Sequence, residues 1–285
     1  MSAASDALTI RRPAAGRAPR LQRLADRYLL LVFTGLAIIY LLLPVAVVIL
    51  FSFNDPAGKS NFVWQGFTLK HWLNPFGVAG LADAVGLSIV IALLSTLVAT
   101  ALGTLVALAL VRYSFRGRGV TNALIFLPMA TPEIVLGASL LTMFVSIGNP
   151  PFFPLNFFTI LIAHIMFNIS YVVVTVRARL AGFPRHLEEA AMDLFADEWQ
   201  TFWNVTFPLI LPGIVAAALL AFSLSIDDFV VTNFTAGKTQ TFPMFIYAKA
   251  RIGIPVQVNV IGTIIFLVAV GSVGLTTLVQ RRSRS

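Results

Sequence analysis

The feature that most constrains this chain is where its charges are missing. No Asp, Glu, Lys or Arg lies between Arg27 and Asp55, between Asp83 and Arg112, or between Arg251 and Arg281. Each gap exceeds the roughly 20 residues that carry a helix across a bilayer core. In hydrocarbon the backbone must satisfy its own hydrogen bonds, which leaves helices and closed barrels. Barrel strands are about ten residues long and alternate in polarity, whereas these runs are longer and predominantly apolar. Composition agrees, with 58% of the 285 residues hydrophobic and 11% charged, against about 25% charged in a soluble domain. The expected fold class is therefore all-α, a polytopic membrane protein.

Six transmembrane helices are expected, at about 28–52, 82–111, 120–147, 156–177, 208–231 and 255–279. Arg112-Tyr-Ser-Phe-Arg-Gly-Arg118 separates the second from the third. Gly148-Asn-Pro-Pro151, with Pro154, separates the third from the fourth, because Gly and Pro end a helical pattern. The domain organisation is then an N-terminal tail at 1–27, a six-span domain at 28–280 and a C-terminal tail at 281–285. With the N-terminus in the cytoplasm, the inside segments hold Arg11, Arg12, Arg17, Arg20, Arg23, Arg27, then Arg112, Arg116, Arg118, then Arg177, Arg179, Arg185, and last Arg281, Arg282, Arg284. The outside holds Lys59, Lys70, Lys238, Lys249 and Arg251. That is 15 of 20 basic residues inside, so both termini are expected in the cytoplasm. The same bias accounts for the net charge of +8 without nucleic acid as a partner. The basic N-terminus lacks the short apolar core and small-residue cleavage site of a signal peptide and reads as a tail before an uncleaved span.

Several chemistries are disfavoured. There is no cysteine, hence no disulfide or thiolate metal site, and His71, His164 and His186 are too scattered for a local metal motif. No Ser/His/acid trio stands out, so the chain is not expected to be an enzyme. Gly237-Lys238-Thr239 looks like the end of a phosphate-binding loop, but the Gly required five residues earlier is Thr232. The outer segment 53–80 carries Trp64, Phe67, Trp72 and Phe76, which suit interfacial anchoring or contact with an external partner.

The longest inside connection, Arg177–Phe207, has internal order. Pro184 can open a helix and Glu188 and Glu189 suit its first turn. Leu187, Ala190, Ala191 and Leu194 recur at i, i+3, i+4 and i+7, one apolar stripe on a short helix. Trp199, Phe202 and Trp203 form a second stripe. Such a stripe can lie on the membrane or on its own bundle, or it can receive a partner, with Ala190 and Ala191 allowing close approach.

Glu189-Ala190-Ala191, followed by Phe207-Pro208-Leu209-Ile210-Leu211-Pro212-Gly213-Ile214, resembles the EAA loop of permease subunits in bacterial ABC importers, over roughly residues 80–280. The resemblance implies a type I importer permease fold in the bacterial inner membrane. It also implies that Leu187, Glu188, Glu189, Ala190, Ala191, Asp193, Leu194 and Phe195 form a coupling helix for an ATPase subunit. ATP and Mg would be bound by that partner, with no cofactor on this chain. A second permease subunit, an ATPase dimer and an external substrate-binding protein are the implied partners. One departure stands at Phe195, where the family usually has Gly: either the helix runs on past this residue or the turn is built differently.

Intramembrane acids point to cargo. Glu133 follows Pro132 inside the third span, and Asp227 and Asp228 lie near the outer end of the fifth. Acids at such positions usually face a pathway or a partner, although Glu133 also suits a structural bond beside the Pro132 kink and the aspartates a wet helix end. The runs Thr131-Pro132-Glu133-Ile134-Val135 and Ser223-Leu-Ser-Ile-Asp227-Asp228-Phe-Val-Val231 are similar to those of spermidine/putrescine permease subunits, as are Pro243-Met244 and Arg251-Ile-Gly253 with Pro255. That similarity implies polyamine cargo passing Glu133, Asp227 and Asp228. Another small cationic or organic solute, and an ion-coupled secondary carrier needing no ATPase, remain as alternatives.

Overall fold

The structure is a computed structural model that describes residues 20–182 and 184–282. Residues 1–19 of the expected N-terminal tail and 283–285 of the expected C-terminal tail lie outside the described residues, as does Phe183 in the connecting loop. The chain divides into two compact units, Met1–Phe51 with Gly262–Ser285, and Ser52–Ile261.

The first unit contains α1 (Arg20–Phe51), whose 24 residues from Tyr28 to Phe51 form an apolar, unburied span. Large side chains are exposed all around it, Leu29, Phe33, Leu36 and Tyr40 among them. A helix that is hydrophobic all round is suited to an apolar surrounding.

The second unit is built on three long helices, α3 (Leu81–Arg112), α6 (Phe157–Ala181) and α9 (Phe207–Ile226), following the short α2 (Lys70–Leu73). Small residues let their backbones approach. Ser95, Ala99, Gly103 and Ala107 on α3, and Gly213, Ala217, Ala221 and Ser225 on α9, recur every fourth residue and are all buried. Without a hydrophobic drive between helices in lipid, close van der Waals contact at such residues holds spans together. A Cβ on Gly103 would lie 2.6 Å from Val172 of α6. Around this seam pack Leu110, Ile125, Val172, Val173, Val176, Leu180 and Ile210.

The third expected span is not one straight helix. α4 (Arg118–Ala130) and α5 (Glu133–Ile147) meet at 110°. Pro132 has no N–H for a helical bond and pushes Thr131 out of helical conformation, to φ −82°, ψ 133°. α5 ends at Gly148, whose φ of 66° suits glycine. After Pro151 and Pro154, Asn156 opens α6 with a reciprocal capping box with Thr159.

The fifth expected span also differs at both ends. After α7 (His186–Asp193), it starts early, as α8 (Glu198–Thr201) and a π-helical turn (Phe202–Thr206) lead into α9 without a break. Pro208 and Pro212 cannot donate to the residues four before them, which favours a shifted register at this entry. At the far end the helix stops at Ile226, and α10 (Val230–Thr235) resumes after a break, followed by α11 (Phe242–Ala250). The last helix, α12, runs from Val256 to Arg282, so Arg281 and Arg282 of the expected tail are helical, and its described apolar stretch is Val256–Gly271. Among the described residues, four helices are long and apolar enough to span a membrane, and five if the bent pair counts as one. The expected count of six is not confirmed by these, although α12 covers the stretch expected for the sixth.

Candidate coupling helix and acidic break

α7 sits at the end of the bundle where α3 terminates. Glu188 turns inward: its Oε1 accepts from Arg112 Nη2 at 2.8 Å and from the Thr206 hydroxyl at 2.7 Å. Both charged side chains are largely shielded, Arg112 at 16% and Glu188 at 13% exposure. Charge-assisted bonds in such a setting are stronger than those in water. One carboxylate thus ties α7 to the end of α3 and to the turn that enters α9. Glu189 points away and is exposed, with only a loose 4.0 Å approach to Arg185, which contributes little at the surface. The stripe is not covered by its own bundle. Leu187, Ala190 and Asp193 are exposed, Leu194 is 81% exposed, and Ala191 is half-buried.

The turn after α7 resolves the departure at Phe195. The helix does not run on, and the turn is of the ordinary kind. Phe195 N–H donates to the Met192 carbonyl at 2.9 Å and Ala196 N–H to the Ala191 carbonyl at 3.1 Å, the paired bonds of a Schellman end. Phe195 itself takes the left-handed conformation, with φ 66°. The cost of that geometry for an L-residue is about 1–2 kcal/mol. Phe195 is 97% exposed, so no packing by the described residues offsets it. Strain held without local compensation points to a role outside the fold. Just beyond, Trp199, Trp203 and Phe207 line the entry to α9, the first pair edge-to-face and the second tilted, with centroids 5.6 and 4.9 Å apart, and aromatic residues of this kind suit a membrane interface.

The acids occupy the two helix breaks. Glu133 is not within a continuous span but in the first turn of α5, exposed, where the positive end of the helix favours a carboxylate. Asp227 ends α9 and is exposed, within electrostatic reach of both Asp228 and Glu133. Asp228 behaves differently. Its Oδ2 accepts from the Thr232 N–H and the Thr232 hydroxyl, each at 2.7 Å, and lies 3.4 Å from His164 Nε2, with the side chain 9% exposed. It therefore secures the first turn of α10. His164, 3% exposed, also bonds Ser225 through Nδ1 at 2.6 Å and Thr232 through Nε2 at 2.9 Å, while Ser225 receives the Ser95 hydroxyl at 3.0 Å. This polar node joins α3, α6, α9 and α10 and holds the break that leaves Asp227 outward. Sequence reasoning grouped Asp227 with Asp228 and weighed His164 only as a metal ligand. The partners of His164 lie far along the chain, and no local spacing announces them.

Gly237 belongs to neither acid site nor nucleotide site. It turns at φ 59°, and a Cβ there would lie 2.5 Å from the Leu155 carbonyl oxygen. No group of three metal-binding side chains occurs among the described residues.

Comparison with known proteins places this architecture. Residues 99–285 match the family described as binding-protein-dependent transport system inner membrane component. The spermidine/putrescine transport system permease protein PotC of Escherichia coli K12 is 36% identical over 243 residues, covering 85% of this chain and 90% of that protein. The putrescine transport system permease protein PotI of the same organism is 37% identical over 239 residues, covering 82% and 84%. Among solved structures, a bacterial ABC transporter involved in the import of the acidic polysaccharide alginate aligns with a TM-score of 0.67 at 18% identity, over 93% of this chain and 99% of that one. The MetNI methionine ABC transporter aligns with a TM-score of 0.57 at 15% identity. An all-helical bundle with this loop and this fold, matched over most of its length, identifies the chain as a member of the binding-protein-dependent transport system inner membrane component family, the permease subunits of ABC importers.

Proposed function

We propose that this chain forms half of the transmembrane path of an ATP-driven importer for polyamines such as spermidine and putrescine. The observation that carries the cargo is the similarity to the polyamine permease proteins PotC and PotI, together with exposed Asp227 within electrostatic reach of Glu133 at the two helix breaks. A flexible polycation is attracted by carboxylates along its route and must not be held tightly by any of them. Two exposed acids with a third locked away by His164 meet both needs.

In this reading both termini and α7 face the cytoplasm. A second permease subunit completes the path, and a dimer of ATPase subunits, which bind ATP and Mg, docks on α7 and its counterpart. ATPase closure moves α7, and the Arg112–Glu188–Thr206 link passes that motion to α3 and α9. A binding protein delivers cargo on the other face, at parts of 53–80 and 232–255. This chain carries no catalytic step.

The test is uptake of labelled spermidine and putrescine by proteoliposomes holding the complete complex, with ATP at the ATPase face. Uptake dependent on ATP and on the binding protein is expected. Uptake that persists without ATP and collapses with a proton ionophore would refute the importer in favour of a secondary carrier.

A further inference from the structure

The middle of α6 carries a polar side chain that the packing leaves without a partner. Asn168 is fully buried, and neither its amide nitrogen nor its amide oxygen has a hydrogen-bond partner among the described residues. Such groups are rare in native interiors, because folding forfeits their bonds to water. α3 shows the same anomaly three times. Thr96, Thr100 and Thr104 recur every fourth residue, each with its hydroxyl oxygen buried and unbonded among the described residues. A helical threonine can donate to the carbonyl four residues back, as Thr142 does to Ala138 at 2.9 Å and Thr175 to Tyr171 at 2.8 Å. The three on α3 do not.

The two helices stand in register. Ser225 bonds both Ser95 of α3 and His164 of α6, and Gly103 of α3 lies against Val172 of α6. The same number of residues separates the two contacts on each helix, so Asn168 is level with Ala99 and within about 1.5 Å, one residue's rise, of Thr100. Buried Ala99 belongs to the packed seam, and Thr100 lies about 100° further round the α3 axis. Gly103 has no side chain to interlock with Val172, so α3 can turn at this point. The threonine row also shares its stripe with Leu108 and Arg112, at the same spacing. Arg112 is the residue bonded by Glu188 of α7. A movement of α7 therefore pulls on the stripe that bears the threonines.

We propose that α3 has two seats on α6, and that a partial roll of α3, driven through Arg112, brings Thr100 onto Asn168. The inference rests on the importer reading above, in which α7 moves with the ATPase. In the first seat the Ser95–Ser225 bond is made and the Asn168 amide is unpaired. In the rolled seat the Thr100 hydroxyl and the amide bond each other, and Ser95 leaves Ser225. One bond is exchanged for another, so the seats lie close in energy and α7 can select between them. Asn168 and Thr100 are positioning residues for the transport step and need not touch cargo.

The chain has no cysteine, so Asn168→Cys with Thr100→Cys reports their approach within this chain. The complete complex in nanodiscs is oxidised with copper phenanthroline, either nucleotide-free or trapped with ATP and vanadate, and the intrachain bridge is read by mass spectrometry. A bridged fraction about fivefold higher in the trapped state is expected, the worth of one hydrogen bond. Equal fractions in the two states would overturn the proposal. Asn168→Leu and Thr100→Val provide a second measurement if the cysteine pair assembles poorly. Asn168→Leu should hold or raise the unfolding temperature of the nucleotide-free complex, because an apolar side chain of similar volume needs no partner. It should also lower ATP-dependent spermidine uptake about two- to tenfold. Thr100→Val should lower uptake alike, and the two together no further. A lowered unfolding temperature for Asn168→Leu would overturn the proposal by marking a merely structural amide, and unchanged uptake would overturn it too. Uptake by the unaltered complex that needs no ATP would sink the importer reading itself, whereas equal bridging in a complex that does import sinks the roll alone.

Discussion

Replacing Phe195 by Gly separates fold from partner, because the two respond with opposite sign. In this chain the ring is 97% exposed and the backbone sits at φ 66° within a complete Schellman end. Glycine adopts that conformation freely, which relieves about 1–2 kcal/mol of strain. It also gives the unfolded chain more freedom, which costs about 0.4–1 kcal/mol. The net effect on the fold is therefore neutral to about 1.6 kcal/mol stabilising. Docking responds in the other direction. Burying a phenylalanine side chain against a partner contributes about 1.5–3 kcal/mol, so its loss should weaken ATPase association about 10- to 100-fold. The assay is titration of purified ATPase subunits onto the membrane complex, read by fluorescence anisotropy, with thermal unfolding of the membrane subunit in parallel. An unchanged or raised unfolding temperature with weakened docking is the expected pair. Phe195→Gly with undiminished ATPase affinity would refute the idea that the strained ring is held out for a partner.

Glu188→Gln should cost about 1.5–3 kcal/mol by removing the ionised acceptor shared by Arg112 and Thr206. Its expected signature is ATP hydrolysis retained while uptake per ATP falls, and normal coupling would refute the link. Asp227→Asn should raise the KM for spermidine with unchanged thermal unfolding. Asp228→Asn, which disturbs bonds to Thr232 and the contact with His164, should lower the unfolding temperature instead, through the loss of a charged hydrogen-bond acceptor that contributes about 1.5–3 kcal/mol; equal behaviour of the two variants would contradict their different burial. His71 gives a pH prediction. Burial, and then the Lys70 charge, hold its imidazole below the usual range, with Asp55 at 4.0 Å pulling partly back. Lys59 and Lys249 line a pocket with it. The unfolded chain therefore takes up this proton first as pH falls below about 6.5. Stability of the 53–80 segment should be level above that pH, decline below it, and level again once the folded imidazole is protonated. Amide exchange of this segment between pH 8 and 5 checks it, and His71→Asn should flatten the response.

Much of the fold was legible because lipid leaves few alternatives. Long charge-free runs mean helices whatever their neighbours, and the loop at 177–207 announced α7 through its stripe. Span continuity was less legible. Hydropathy counts residues without regard to direction, so a 110° bend at Thr131–Pro132 and an unwound stretch at 227–229 both fell inside single expected spans despite their acids. The acids were found, but not sorted. Asp227 and Asp228 are neighbours in the chain, and only the approach of α6 buries one while leaving the other exposed.

The sequence by itself determined the solvent, the class of secondary structure and the family, since these depend on composition and on motifs that are local in the chain. Tertiary structure alone decided which residue does which task. The Arg112–Glu188 bond closes across 76 positions, His164 reaches Asp228 from another helix, and a bond from Asn61 to Ile254 brings two distant segments to one pocket that Lys59, Lys70 and Lys249 line. Each depends on helices placed within a few ångströms of one another, a distance that no one-dimensional spacing encodes. The charge-free runs that opened the reading explain why so few polar groups remain within the spans. Where those groups meet, at the breaks and ends of the helices, is a property of the packing.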